Sequence, residues 1–286
     1  MELCIREQLE KNEHLYLSEH AAFSDQSRGR ERPEKPCDLR TDYQRDTDRI
    51  VHSNAFRRLK HKTQVFLSPE GDHYITRLTH TLQVSQIART MARALRLNEN
   101  LTEAIALGRD VGHTPFGHAG EWALNDVYPG GFKHYEHSAR VLQRLEKNGR
   151  GLNLTAEVLD GIRTHTKGTE AVTLEGRLVR LADRIAYVNH DIEDAVRAGI
   201  IREDDLPIDI REALGNSKSQ RITTLVKSVI NNVLTKGIVA VGEDIAPMFD
   251  TLHNFMFANI YTNSKAKTEE TKAAEMVRML YRYFTE

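Results

Sequence analysis

Six apolar residues, Leu174, Leu178, Leu181, Ile185, Val188 and Ile192, recur at alternating steps of four and three. That spacing keeps one face of an α-helix apolar, whereas a strand would need a period of two. It predicts a helix over 172–197. From Leu78 the residues Leu82, Val84, Ile87, Met91 and Leu95 repeat the helical pattern. Seventeen glycines and seven prolines in 286 residues leave room for long uninterrupted elements. Thr41-Asp42-Tyr43-Gln44 reads as a capping box that opens a helix running to about Lys60. Asn98 or Asn100 caps the next helix, which Gly112 and Pro115 bring to a stop near Asp110. Further helices are expected near 118–127, 135–148, 154–164, 209–215, 217–236, 244–260 and 267–284. Short strand pairs at 64–67 or 237–241 remain alternatives, but no series of alternating runs separated by turns occurs. The fold class is all-α.

Residues 13–40 carry the polar stretch SDQSRGRERPEKPCDLR and read as a surface loop or mobile lead-in. The domain reading is an N-terminal lead-in over 1–40, a core over 41–200 and a C-terminal helical region over 201–286 packed on it. Forty Lys and Arg balance 41 Asp and Glu, giving a formal charge of −1. That balance argues against a surface given over to nucleic acid or anionic lipid. No run of about 18 apolar residues offers a membrane span, and MELCIREQLEKNEHL lacks a signal-peptide core. Cys4 and Cys37 show no metal-ligand spacing. These features describe a reduced, cytoplasmic protein. Arg57, Arg58, Lys60 and Lys62 in FRRLKHK form either a solvated helix face or a contact to substrate phosphates. Without interleaved aromatics they are weak evidence for single-stranded nucleic acid.

Ten of the thirteen histidines fall between His52 and His190. His80 precedes Val84, Ile87 and Met91 on the buried face of its own helix, so a polar partner must meet it. A core histidine bonded to a backbone carbonyl is the plain alternative. Thirty residues on, GRDVGHTPFGHAGE gathers Asp110, His113, His118 and Glu121 around glycines that let the backbone approach a ligand closely. Asp183, Tyr187 and Asp191 share a second face of the 172–197 helix, with Arg184 beside them. Together these residues offer a carboxylate–imidazole set for a divalent metal, although no HExxH motif is present.

The segments HSNAFRRLKHKTQVF (52–66), TRLTHTLQVSQIART (76–90), GRDVGHTPFGHAGE (108–121), GFKHYEHS (131–138) and LADRIAYVNHD (181–191) resemble bacterial deoxyguanosine triphosphate triphosphohydrolase-like proteins of the HD-domain superfamily. The resemblance covers roughly residues 38–200. It implies a helical HD-domain fold, an HD phosphohydrolase core over 41–200, a deoxynucleoside triphosphate as ligand and a homo-oligomer. The implied reaction hydrolyses a deoxynucleoside triphosphate at the α-phosphorus to a deoxynucleoside and triphosphate. The implied cofactor is a divalent metal (Mn, Mg, Fe, Ni or Zn) on His80, positions 109 and 110, and Asp183. His118, Glu121, His134 and His113 match catalytic positions that handle the α-phosphate or move protons. Arg77 and Arg184 match phosphate-binding positions, and Gln64, Tyr187 and Asp191 match positions that contact the sugar.

The sequence departs from the pattern at one ligand. Position 109 is arginine where the family has histidine, and a guanidinium has no lone pair to give a metal. Three ligands, His80, Asp110 and Asp183, remain. A fixed positive charge about 4 Å away would oppose a cation by several kcal/mol per unit charge even at an effective dielectric of about 20. Metal affinity is therefore expected to be strongly reduced or lost, with Arg109 pairing with Asp110 or Asp183. Ile75 stands in place of a second arginine, and Tyr135 and His137 replace Asn and Gln. The resemblance also implies a further helical segment beyond the position of Glu286. Three readings follow: a metal-dependent dNTP triphosphohydrolase, a nucleotide-binding regulatory protein with little turnover, and an HD phosphohydrolase acting on another nucleotide.

Overall fold

The computed structural model describes residues 4–62, 75–166, 168–261 and 264–285. Among these residues thirteen α-helices follow one another: α1 (Ile5–Tyr16), α2 (Asp42–Val51), α3 (Asn54–Arg58), α4 (Arg77–Ala94), α5 (Glu99–Gly108), α6 (Gly117–Val127), α7 (His134–Arg140), α8 (Ala156–Thr164), α9 (Leu174–Arg197), α10 (Ile208–Leu214), α11 (Lys218–Lys236), α12 (Ala246–Met256) and α13 (Ser264–Thr285). One isolated bridge pairs Arg30 with Thr155, and no strand occurs among the described residues. The all-α expectation holds, and residues 237–241 form no strand; 64–67 lie outside the described residues.

The chain divides into two compact units interleaved in sequence. The first comprises Met1–Leu59, Thr81–Gly112 and Tyr135–Asp183. Its centre is α5, where Leu101, Ala104, Ile105, Ala106 and Leu107 are all buried. A helix apolar all round belongs in a core, and α2 and α8 pack on it. Asn98 opens α5 by accepting from the backbone N–H of Asn100 at 3.1 Å and Leu101 at 3.2 Å. Of the two asparagines it is the cap. At α2, Gln44 accepts from the N–H of Thr41 at 3.0 Å, one arm of the expected capping box. The helix expected over 41–60 is broken at His52–Ser53, where Ser53 accepts from the N–H of Phe56 at 3.1 Å and starts α3.

The segment between α1 and α2 is irregular, as its composition indicates, but it is anchored rather than loose. Arg30 pairs with Asp46 and donates to Asp42 at 3.0 Å, and Asp46 also accepts from the N–H and hydroxyl of Thr155 at 2.8 and 2.7 Å. Glu157 accepts from the N–H of Arg28 at 2.7 Å. Glu13 accepts from the N–H and hydroxyl of Ser24, both at 2.7 Å, and Glu175 accepts from the N–H of Ala22 at 3.0 Å. Buried acids that meet backbone donors tie the segment down, a device apolar periodicity does not report.

The second unit comprises Lys60–His80, His113–His134 and Arg184–Glu286. Within it α13 packs on α6, and α10 packs on α11 and α12. Phe249, Leu252 and Met256 of α12, with Leu225 and Val229 of α11, are buried. Ser217 and Gln220 exchange capping bonds at the start of α11. No helix among the described residues is long and apolar enough to cross a membrane.

Candidate functional site

The residues singled out from the sequence fall into two groups, one in each unit. In the first unit, α5 delivers Arg109 as the residue after its last turn, still in helical conformation. Because α5 is buried on every side, the Arg109 side chain is 0% exposed. A buried guanidinium must find acceptors. Nη1 donates to the carbonyl of Ala106 at 2.8 Å and Nη2 to Asp183 Oδ1 at 2.9 Å. Nη2 also lies 3.4 Å from Asp110 Oδ2. Burial opposes the charge, but the attraction of Asp110 and Asp183 outweighs it and holds the guanidinium protonated above its ordinary range. Arg109 thus pairs with both carboxylates, not one.

Two supports of this group had no signal in the sequence reading. His165, buried at the end of α8, places Nε2 3.8 Å from Asp110 Oδ1 while Nδ1 meets the carbonyl of Ile162 at 2.7 Å. Ser138 of α7 donates to the carbonyl of Arg109 at 2.6 Å and accepts from the N–H of Gly112 at 3.0 Å. A Cβ on Gly112 would fall 2.2 Å from the backbone nitrogen of Ser138, so only glycine lets the two segments meet. The close approach that this glycine permits is to the protein's own backbone.

In the second unit, the loop after His113 turns on Phe116 at φ 63° and enters α6. A Cβ on Gly120 would lie 2.0 Å from the carbonyl oxygen of Pro115, so the first turn of α6 folds tightly over the loop. This brings ligand atoms of His113, His118 and Glu121 within 4.8 Å of one another. Glu121 accepts from the backbone N–H of His134 at 2.8 Å and meets its Nδ1 at 2.9 Å. The His118 Nδ1 is 3.4 Å from the other carboxylate oxygen. Burial pushes the Glu121 carboxyl up, but the hydrogen bonds of His118 and His134 and the charge of His134 hold it well below the usual carboxylate range. His113 stacks on His134 with ring centres 4.0 Å apart.

The other candidates of this unit are placed individually. His80 is buried, its Nδ1 3.2 Å from Nδ1 of the equally buried His190. Its partner is therefore a second imidazole, of which one must donate and the other accept. His190 went unremarked, although it lies seven residues after Asp183 on the same side of α9. Arg77 is buried at the start of α4, its N–H bonded to the carbonyl of Lys62 at 3.0 Å. Arg184 is exposed, lies over the Phe249 ring at 5.3 Å and is 3.7 Å from Asp250. Tyr187 meets the edge of His253, and Asp191 is buried. The polar side of α9 thus runs from exposed Arg184 through half-buried Tyr187 to buried Asp191. Gln64 lies outside the described residues.

The HD domain family matches residues 77–188, the stretch that carries the candidate residues expected from the sequence except Gln64 and Asp191, and a phosphohydrolase-associated domain matches 239–286. A deoxyguanosinetriphosphate triphosphohydrolase-like protein of Caldanaerobacter subterraneus subsp. tengcongensis is 56% identical over 98% of this chain and 83% of its own length. The chain belongs to this family of HD-domain proteins. A namesake from Clostridium perfringens is 53% identical over 98% of the chain and 84% of its own length, and one from Ralstonia pickettii 40% over 94% and 83%. Among solved structures, a hypothetical protein from Aquifex aeolicus shares the fold with a TM-score of 0.55 at 20% identity, over 82% of this chain and 60% of that one. Membership supports a phosphohydrolase and implies a divalent metal.

Proposed function

We propose that the chain binds deoxynucleoside triphosphates and that its hydrolysis of them to deoxynucleoside and triphosphate is suppressed where Arg109 replaces a ligand histidine. The observation that supports this reading is the fully buried Arg109, whose Nη2 sits 2.9 Å from Asp183 and 3.4 Å from Asp110. The carboxylate oxygens that a divalent ion would need already face a permanent cation. A metal fits this donor set poorly.

The nucleotide contacts are assigned to the second unit. Arg77 and Arg184 are assigned to the phosphates, for which guanidinium pairs geometrically with oxyanions. Tyr187, Asp191 and Gln64 are assigned to the sugar. A homo-oligomer in the cytoplasm is the setting carried over from the family resemblance. One observation favours a second reading, an active triphosphohydrolase: His118, Glu121 and His134 form a bonded acid–imidazole chain suited to proton transfer.

Product analysis of each dNTP with Mn²⁺ or Mg²⁺ tests both. Nucleotide binding without triphosphate release, with release restored by Arg109→His, is expected. Robust triphosphate release by the unmodified chain overturns the suppressed reading. Release of monophosphate and pyrophosphate contradicts the assigned reaction and favours an HD phosphohydrolase of another class.

A further inference from the structure

The geometry points to a transition-metal site in the second unit, formed by His113, His118 and Glu121 and buttressed by His134. Two imidazoles and one carboxylate suit Zn²⁺, Co²⁺, Ni²⁺ or Fe²⁺, whereas Mg²⁺ and Ca²⁺ seek oxygen. Unlike positions 109 and 110, this cluster holds no arginine among its donors.

The three donor atoms lie within 4.8 Å of one another. Metal bonds of about 2.0–2.2 Å set neighbouring donors roughly 3 Å apart, so binding requires a contraction on the order of 1–2 Å. The cluster can supply it. His113 and Glu121 are 4% and 8% exposed, while the His118 side chain is 67% exposed and already places Nδ1 3.4 Å from Glu121, so the contraction falls chiefly on a side chain outside the core. It sits one turn before Glu121 on α6, so the two project from the same side of the helix. Lys62 fixes the backbone behind the His113 ring by donating to its carbonyl at 2.5 Å. His134 grips Glu121 through its backbone N–H at 2.8 Å and its ring at 2.9 Å. Such a partner orients a ligating carboxylate and raises affinity.

Trp122, the only tryptophan of the chain, stacks beside His118 with ring centres 6.3 Å apart and reports on the site. Titration with Co²⁺ should quench its fluorescence saturably, with one Co²⁺ retained per chain in equilibrium dialysis and displaced by Zn²⁺. His118→Ala, at an exposed position that leaves the core intact, should weaken binding at least tenfold. His134→Ala should weaken it about 10–100-fold, with circular dichroism confirming that each variant is folded. Absence of saturable quenching and of retained Co²⁺ overturns the site, as does equal retention by His118→Ala. Neither readout involves turnover, so the reading of Arg109 stands or falls separately.

Discussion

Replacing Arg109 by leucine removes the cation from between two acids at 2.9 and 3.4 Å. At an effective dielectric of about 20, each of those contacts carries about 5–6 kcal/mol of Coulomb energy. Most of that only offsets the cost of desolvating the charges. The variant therefore loses chiefly through the acids left unpaired, a penalty of about 3–5 kcal/mol for a buried pair. The lower end applies because the Asp183 side chain keeps 24% of its exposure and can take up water. Asp183→Asn alone should cost a similar amount by stranding the guanidinium. The double variant Arg109→Leu/Asp183→Asn should fall short of the sum by about 2–3 kcal/mol, since the second change removes a group the first has already orphaned. Urea unfolding followed by circular dichroism measures all three, and amide exchange along α5 localises the effect to the first unit. Single-variant costs below about 1 kcal/mol, or additivity within about 0.5 kcal/mol, would refute the argument that the guanidinium neutralises these acids.

Three further outcomes are expected. The Glu121 carboxyl is held below its ordinary range, so its own ionisation contributes stability above the unfolded value of about 4.3 that fades as pH falls through and below it; the stability gap between the unmodified chain and Glu121→Gln should shrink as pH falls from about 5 toward about 3, and a gap that widened there would reverse the sign. Gly112→Ala places a Cβ 2.2 Å from backbone rather than from a movable side chain, and should destabilise by about 3 kcal/mol in thermal or urea unfolding. Asp46→Ala strips Arg30 and Thr155 of a shared buried acceptor; it should cost about 3–5 kcal/mol and open the segment around Arg28 and Arg32 to limited trypsin digestion, which would otherwise leave it intact.

The apolar stripe of α9 was legible because burial of Leu178, Leu181, Ile185, Val188 and Ile192 writes itself into the sequence at helical spacing. The same rule misplaced Leu82, which is 51% exposed: its spacing in the run does not put it on the buried side of α4. α1 went unseen since its single fully buried residue is Glu13. An acid that satisfies backbone donors follows no apolar period, and the same holds for Asp46, Glu157 and Glu175. At the candidate site, Arg109 was legible through the resemblance, as an arginine where the family has a ligand histidine; its pairing with carboxylates then follows because a guanidinium has no lone pair to give. His165, Ser138 and His190 were not, because each acts through a partner distant in sequence. The glycines of GRDVGHTPFGHAGE were read as admitting a ligand, but Gly112 and Gly120 admit neighbouring backbone.

The central claim, that the Arg109 guanidinium holds the acids a metal would use, is tested most directly by Mn²⁺ binding. The electron paramagnetic resonance signal of free Mn²⁺ should be compared for the unmodified chain, Arg109→His and Asp183→Asn. A divalent ion about 4 Å from a fixed cation pays roughly 8 kcal/mol at an effective dielectric of about 20, so relief of even half of that raises affinity by about a thousandfold. Arg109→His is expected to bind Mn²⁺ at least that much more tightly than the unmodified chain. Stoichiometric, tight Mn²⁺ in the unmodified chain that disappears in Asp183→Asn would contradict it.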